Sequence, residues 1–365
     1  MSAPLREPPR RILVVKLGHI GDVLVTTPLL RVLHDAYPAS RITALVNQGT
    51  EAMLAHHPLV DRLLVLQREK TGAWQGLRRQ AGLLAAVAGG GFDLALDLSG
   101  GDRGAFLVWL SRAGVRVGFQ PKRPHFRARA FHRLVDGRGT RNHVIETLLR
   151  PAAALGLATD PPPPLEFYPG AEAEGRARDI LAAHDLTPGG YALVHPTSRW
   201  MFKTWTPEGN ARVLAHLAAQ GLRLVLSAAP APAEMEFVAR LKAALPADLK
   251  VVDLAGQLDL PRLGALLASA RLFFGVDSAP MHLAAALGVP TVVLFGPSGE
   301  KMWGPWQTPS EVVTLEMACR PCGRDGCEGS KVSRCLVGLA PEMVCGAVDR
   351  LLARTGDHAH RASQI

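Results

Sequence analysis

Aromatic residues are scarce: 5% of the 365 residues are Phe, Trp or Tyr. Proteins that hold single-stranded nucleic acid stack its bases on aromatic faces, and no RNA-recognition, KH, zinc-finger or basic-zipper pattern stands in for them. Nucleic acid is therefore excluded as the partner. Long apolar runs are also missing. The longest, Leu283 to Gly296, is broken by Pro290 and falls short of the ~20 residues that a spanning helix needs. The run after the basic start REPPRR is cut by Lys16, too short for a signal-peptide core, so the expected location is the cytoplasm. No cysteine precedes Cys319, and no short repeat period marks a solenoid.

What is present fits a folded α/β protein: 48% hydrophobic and 20% charged residues, on a chain long enough for two cores. The net charge of +9 asks for an acidic partner such as a nucleotide or an anionic membrane.

Short β-rich runs alternate with amphipathic ones. ILVV, a helix over Val23 to His34, RITALV, a helix near Gly49 to Ala55, RLLVL, a helix over Trp74 to Val87 and FDLALDL form the first series. The second runs from YALVHP through helices at Pro207 to Ala219, Ala233 to Ala244, Leu260 to Ala268 and Ser278 to Leu287 to PTVVLFG. Between them PPPP, after Asp160, reads as a stiff extended joint. The expectation is two doubly wound parallel-sheet domains, 1–165 and 166–340, facing each other across a ligand cleft, with a C-terminal helix and tail over 341–365 packing back on the first.

Three stretches carry chemistry. KLGHIGDV follows the first strand like a phosphate loop, but it places Asp22 where a phosphate would sit. An aspartate there is either a helix cap or a base. HPTSRWMFKTW, at the end of the strand YALV, offers hydroxyls at Thr197 and Ser198 and a cation at Lys203, all suited to an anionic leaving group. In GVDSAPMH, Asp277 or Ser278 can cap a helix whose first turn tolerates Pro280, and free N–H groups there suit a pyrophosphate. Capping does not account for His282. Glu234 follows another strand end, where an acid accepts a ribose hydroxyl or answers the helix dipole. Asp97, in LALDLSG, is a rival carboxylate that serves acceptor binding or caps a turn.

The runs FFGVDSAPMHLAAALGVPTVVLFGPS, HPTSRWMFKTW and VVKLGHIGDVLVTTPLL resemble glycosyltransferase family 9, the ADP-heptose:lipopolysaccharide heptosyltransferases, from about Arg11 to about Arg350. LGHIGDVLVTTP and the cysteine-rich tail look most like the heptosyltransferase III subgroup. The resemblance implies the GT-B fold, an ADP-heptose donor, a lipid A–core acceptor, inversion at the anomeric carbon and no metal requirement. Carried onto this sequence, the base falls on Asp22 and the phosphate contacts on Thr197, Ser198 and Lys203. The ribose acid falls on Glu234, with Glu236 the alternative. The donor-sugar and pyrophosphate segment falls on Asp277, Ser278, Ala279, Pro280 and His282. Many relatives have glycine where Ala279 stands. Gly18, His19 and Gly21 become the acceptor side, the glycines making room for it. A GT-B nucleotide-sugar epimerase or hydrolase, or a heptosyltransferase with another acceptor, is the alternative.

Two features stand apart. Cys319, Cys322, Cys327 and Cys335 form C-x₂-C-x₄-C-x₇-C, with Cys345 beyond. They could hold a structural zinc, although the paired-knuckle spacing is absent; reduced thiols and a local disulfide are the other readings. The basic stretch Arg116 to Arg141, containing KRPHFRARAFHR, is either a solvated loop or a contact for acceptor phosphates and the anionic inner face of the inner membrane, to which the enzyme would then be peripheral.

Overall fold

The computed structural model describes residues 7–67, 73–121, 126–137 and 142–356. It divides into two compact units between Tyr168 and Pro169.

The first unit runs β1 (Arg11–Lys16), α1 (Ile20–Leu24), α2 (Thr27–Ala36), β2 (Arg41–Asn47), β3 (Arg62–Leu66), α3 (Ala73–Ala88), β4 (Leu94–Asp97), α4 (Asp102–Leu110), β5 (Val115–Phe119), β6 (Arg133–Val135) and α5 (Val144–Ala153). The strands form one parallel sheet, ordered β3-β2-β1-β4-β5-β6. β1 and β4 lie at its centre, and Ile12 to Val15 and Leu94 to Leu96 are buried because helices cover both faces.

The second unit runs α6 (Ala171–Ala183), β7 (Tyr191–His195), α7 (Pro207–Ala219), β8 (Arg223–Leu226), α8 (Pro232–Ala243), β9 (Val251–Asp253), α9 (Leu260–Ala268), β10 (Leu272–Val276), α10 (Ala279–Ala286), β11 (Thr291–Phe295), α11 (Glu300–Trp303), β12 (Ser310–Thr314), α12 (Arg334–Val337) and α13 (Pro341–Thr355). Its sheet is also parallel, ordered β12-β11-β10-β7-β8-β9. Counted from its own first strand, this is the same order as in the first sheet. Among the described residues no helix is long and apolar enough to cross a membrane.

The structure departs from the sequence reading at three places. The helix expected over Val23 to His34 is two helices, because the Thr26 hydroxyl donates back to the Val23 carbonyl at 2.6 Å and Pro28 opens a new first turn. The helix expected near Gly49 to Ala55 is one 3₁₀ turn, Glu51–Met53, too short to propagate. The basic stretch from Arg116 contains β5, β6 and a 3₁₀ turn at Phe126–Ala130; residues 122–125 and 138–141 lie outside the described residues. Helix α13 packs within the second unit, burying Val344, Ala347, Val348 and Leu351 with the core of that sheet. Its acids meet Arg212 and His216 of α7. Residues 357–365 lie outside the described residues.

The proline-rich joint is strapped to the first unit. Glu166 receives both arms of Arg31, at 2.9 and 3.0 Å, while its backbone N–H donates to the Thr27 hydroxyl at 3.0 Å. A planar guanidinium fork on a carboxylate fixes direction as well as distance.

Gly275 lets β10 lie close to β7: a Cβ there would stand 2.7 Å from the His195 carbonyl oxygen, which belongs to backbone and cannot swing away. Gly275→Ala is expected to lower stability by about 1–3 kcal/mol, read as an earlier midpoint in thermal or urea unfolding. Gly114→Ala, whose Cβ would make an ordinary 3.4 Å contact, should unfold like the parent. Equal midpoints for the two variants would refute the packing argument.

Candidate functional site

In a parallel sheet the loops at the carboxyl ends of the strands diverge where the strand order reverses, and ligands collect there. The reversals fall between β1 and β4 in the first unit and between β7 and β10 in the second. The candidate residues follow these four strands, except Glu234, which follows β8.

In the first unit the chain leaves β1 through a loop held from both sides. Asn47 Nδ2 donates to the Gly18 carbonyl at 3.1 Å, and the Leu17 N–H donates to Ser99 Oγ at 2.7 Å. Asp22, in the first turn of α1, accepts the His19 N–H at 2.8 Å. A Cβ on Gly18 would stand 2.8 Å from Asp22 Oδ2, so the space beside this glycine belongs to the aspartate itself. His19 is exposed, and Gly21 and Asp22 are half-buried.

Beneath this loop lies a group that the sequence reading passed over. Lys16 is buried and donates from Nζ to the Leu98 carbonyl at 3.1 Å. Burial lowers its pKa, while the charges of Asp22 and Asp97 oppose the shift. Its signal in the sequence was a lysine ending an otherwise apolar strand. Asp97 is buried as well, and burial pushes its carboxyl up to about 6 against the Ser99 hydrogen bonds and the Lys16 charge. The Ser99 N–H donates to Oδ1 at 2.8 Å, the geometry of a turn cap.

In the second unit the pairs close on one another. The buried Thr197 hydroxyl donates to Glu234 Oε2 at 2.7 Å, and the Ala229 N–H reaches the same oxygen at 3.3 Å. Glu234 is buried in the first turn of α8, whereas Glu236 is exposed. Both contacts use one oxygen, which leaves Oε1 as an acceptor. Lys203 Nζ meets Asp277 Oδ2 at 2.6 Å across the β7 and β10 loops. Ser198 is buried, and its hydroxyl oxygen accepts the Trp200 N–H at 3.3 Å.

Ser278 occupies the N-cap position of α10, but its hydroxyl donates back to the Val276 carbonyl at 3.1 Å and forms no side-chain cap. Ala279 and Pro280 begin the helix. His282 is buried one turn on, its ring edge-on to Trp303 with centroids 6.4 Å apart. His195, quoted in the sequence motif but given no role, pairs its Nδ1 with Ser227 Oγ at 3.0 Å.

All five cysteines are free. Cys319 and Cys322 are exposed, Cys327 and Cys345 half-buried and Cys335 buried. Among the described residues no group of three or more His, Cys, Asp or Glu is placed to hold a metal ion. Cys327 Sγ accepts the Arg334 N–H at 3.5 Å, and burial raises the Cys335 pKa, which favours its thiol form.

The profile of glycosyltransferase family 9 (heptosyltransferase) matches residues 81–333. The chain belongs to this family. Lipopolysaccharide heptosyltransferase 3 of Escherichia coli is 30% identical over 78% of this chain and 83% of its own length. Lipopolysaccharide heptosyltransferase 1 of Pseudomonas aeruginosa is 32% identical over 87% of each. The E. coli heptosyltransferase WaaC solved with ADP superimposes with a TM-score of 0.71 over 95% of this chain and 100% of that one; at 22% identity it shows the shared GT-B fold. This family 9 chain is thus a glycosyltransferase with a Rossmann-like sheet in each unit.

One consequence follows for the His195 ring. Burial holds its pKa at about 4, below the ordinary 6.5. The unfolded chain therefore binds the proton more readily, so this contribution to stability is complete above pH ~6.5 and is lost as pH falls towards 4. A shift of this size corresponds to roughly 3 kcal/mol. His195→Gln should flatten the acid side of the stability–pH curve between pH 7 and 4, measured by denaturant titration. A variant curve as steep as the parent's would refute the assignment.

Proposed function

We propose that this protein transfers a heptosyl group from ADP-activated heptose to the inner core of lipopolysaccharide, inverting the anomeric centre. The observation that supports this most directly is the closed donor constellation of the second unit, Thr197–Glu234 with Lys203–Asp277, in a chain similar to heptosyltransferase 3 over most of both lengths. ADP, present in the WaaC structure, suits these groups. Lys203 and the Ser198 hydroxyl answer the diphosphate, the first turn of α10 adds its dipole, and Glu234 Oε1 accepts a ribose hydroxyl.

Inversion is one displacement. Asp22 takes the proton of the acceptor hydroxyl, the acceptor oxygen bonds to the anomeric carbon, and ADP departs from the opposite face. Lys16, buried below Asp22, supplies a fixed positive field to the base. The developing charge on ADP is met by Lys203 and the hydroxyls, with no step routed through a metal. The acceptor is the lipid A–core molecule, met at the anionic inner face of the inner membrane.

Purified protein incubated with ADP-heptose and truncated core acceptors should add one heptose, seen as a single mass increment. No increment on any core acceptor, with active controls, would overturn the reading. Asp22→Asn should bind ADP-heptose like the parent in calorimetry yet lose turnover by ~10² or more; collapse of donor binding would reassign the residue. Treatment with EDTA should leave the rate within about twofold, and abolition restored by a divalent ion would put a metal in the reaction.

A further inference from the structure

Helix α4 carries an aromatic face that the transfer reaction does not use. At 100° per residue, Asp102, Phe106 and Trp109 fall within roughly 60° of one another on the helix. Gly104, Leu107 and Val108 occupy the other side and, with Ala105 at the edge of the aromatic face, are buried. Phe106 is 43% exposed and Trp109 55%, the most exposed large hydrophobic side chain among the described residues. Their rings lie 6.2 Å apart with planes 32° off parallel. Folding alone does not place two such neighbours in water.

The charge around this face has one sign. Arg127, in the Phe126–Ala130 turn, reaches Asp102 at 3.0 Å and donates to the Gly100 carbonyl at 2.6 Å, which straps the basic turn to the start of α4. Asp102, the acid on the aromatic face, is thereby neutralised. Arg103 on α4, Arg112 just past its end and Arg129 on the strapped turn are all exposed. None of these three pairs with a carboxylate among the described residues.

We propose that this face, Phe106 and Trp109 with Arg103, Arg112 and Arg129, docks the protein on an anionic bilayer surface. The rings sit at the level of the headgroups, and the guanidinium groups contact lipid phosphates. A protein partner would need a complementary patch of about 800 Å², whereas two aromatic side chains with unpaired arginines match the amphipathic, negatively charged boundary of a bilayer. With no spanning helix among the described residues, attachment through this face is interfacial. The proposal rests on the functional reading above in one respect, that a lipid-anchored acceptor must be met at a membrane surface.

The test is co-sedimentation with vesicles of phosphatidylcholine alone or mixed with phosphatidylglycerol. Binding to the mixed vesicles only is expected, falling about tenfold or more between low and high salt. Phe106→Ser/Trp109→Ser should lose at least about tenfold in vesicle partitioning. Met343→Ser, which removes an exposed methionine of α13, should not. Trp109→Phe should keep most of the binding while losing part of the lipid-induced blue shift in tryptophan fluorescence. Parental binding by the double serine variant, or equal binding of the parent to uncharged vesicles, would overturn the proposal. Transfer to a delipidated, water-soluble core fragment separates the two readings: if the parent transfers but does not bind vesicles, docking fails; if it binds vesicles through this face but never transfers, the functional reading fails.

Discussion

Each sheet grows outwards from its first strand in two directions, right-handed crossovers then put the helices of the two arms on opposite faces, and the arrangement of the candidate groups depends on that constraint. β1 sits between β2 and β4, and β7 between β8 and β10. The loops after the two central strands of each sheet must part, because their helices cover opposite faces. Asp22 and Asp97 stand on one parted pair of loops, and Thr197 and Asp277 on the other. Neither pair needs sequence proximity; each needs the strand order.

Loops that part leave buried polar groups, and each such group has to be satisfied. The two units do this differently. In the first, Lys16 is withdrawn below the surface, with its ammonium on the Leu98 carbonyl and the charges of Asp22 and Asp97 around it. A buried cation of this kind is tolerable only while the carboxylates offset its desolvation. In the second, a neutral hydroxyl faces an acid and a cation faces an acid, at 2.7 and 2.6 Å. In the proposed reaction the first arrangement would bias the base Asp22, and the second would hold acceptors and donors ready at fixed distances.

The second sheet was more legible in the sequence than the first. LFFGV and TVVLF are buried along their whole length, so they read as apolar runs bounded by turns. α7 and α9 were legible to the residue, because Thr206 and Asp259 cap them just ahead of Pro207 and Pro261. β5 and β6 escaped: VRVGF and RLV sit at or near a sheet edge, and their arginines break the alternation. Gly49 to Ala55 misled because its pattern of small and apolar residues suits a helix, although the segment is too short to nucleate one. Among the candidate residues, Asp22, Thr197 and Asp277 stood out through their motifs. The family resemblance preferred Glu234 over Glu236, while the burial of Glu234 and the exposure of Glu236 depend on which face α8 packs inward. Lys16 was illegible because a strand-terminal lysine ordinarily points to solvent.

The Lys203–Asp277 pair bears on how a diphosphate is held. A bare lysine at this loop would be a mobile point charge on four methylenes, losing entropy when it engages an anion. Asp277 is buried and accepts one ammonium hydrogen bond at 2.6 Å; an ammonium has three donors, so two remain for an incoming oxyanion. The aspartate therefore orients the lysine and need not be displaced. The pair is close to neutral, so on the proposed function long-range attraction for ADP would come from the first turn of α10 and the net positive charge of the chain. Ser278 fits this division. Its hydroxyl is turned to Val276 and so does not cap α10, which leaves the positive end of that helix without a competing side-chain oxygen beside a lysine already aimed.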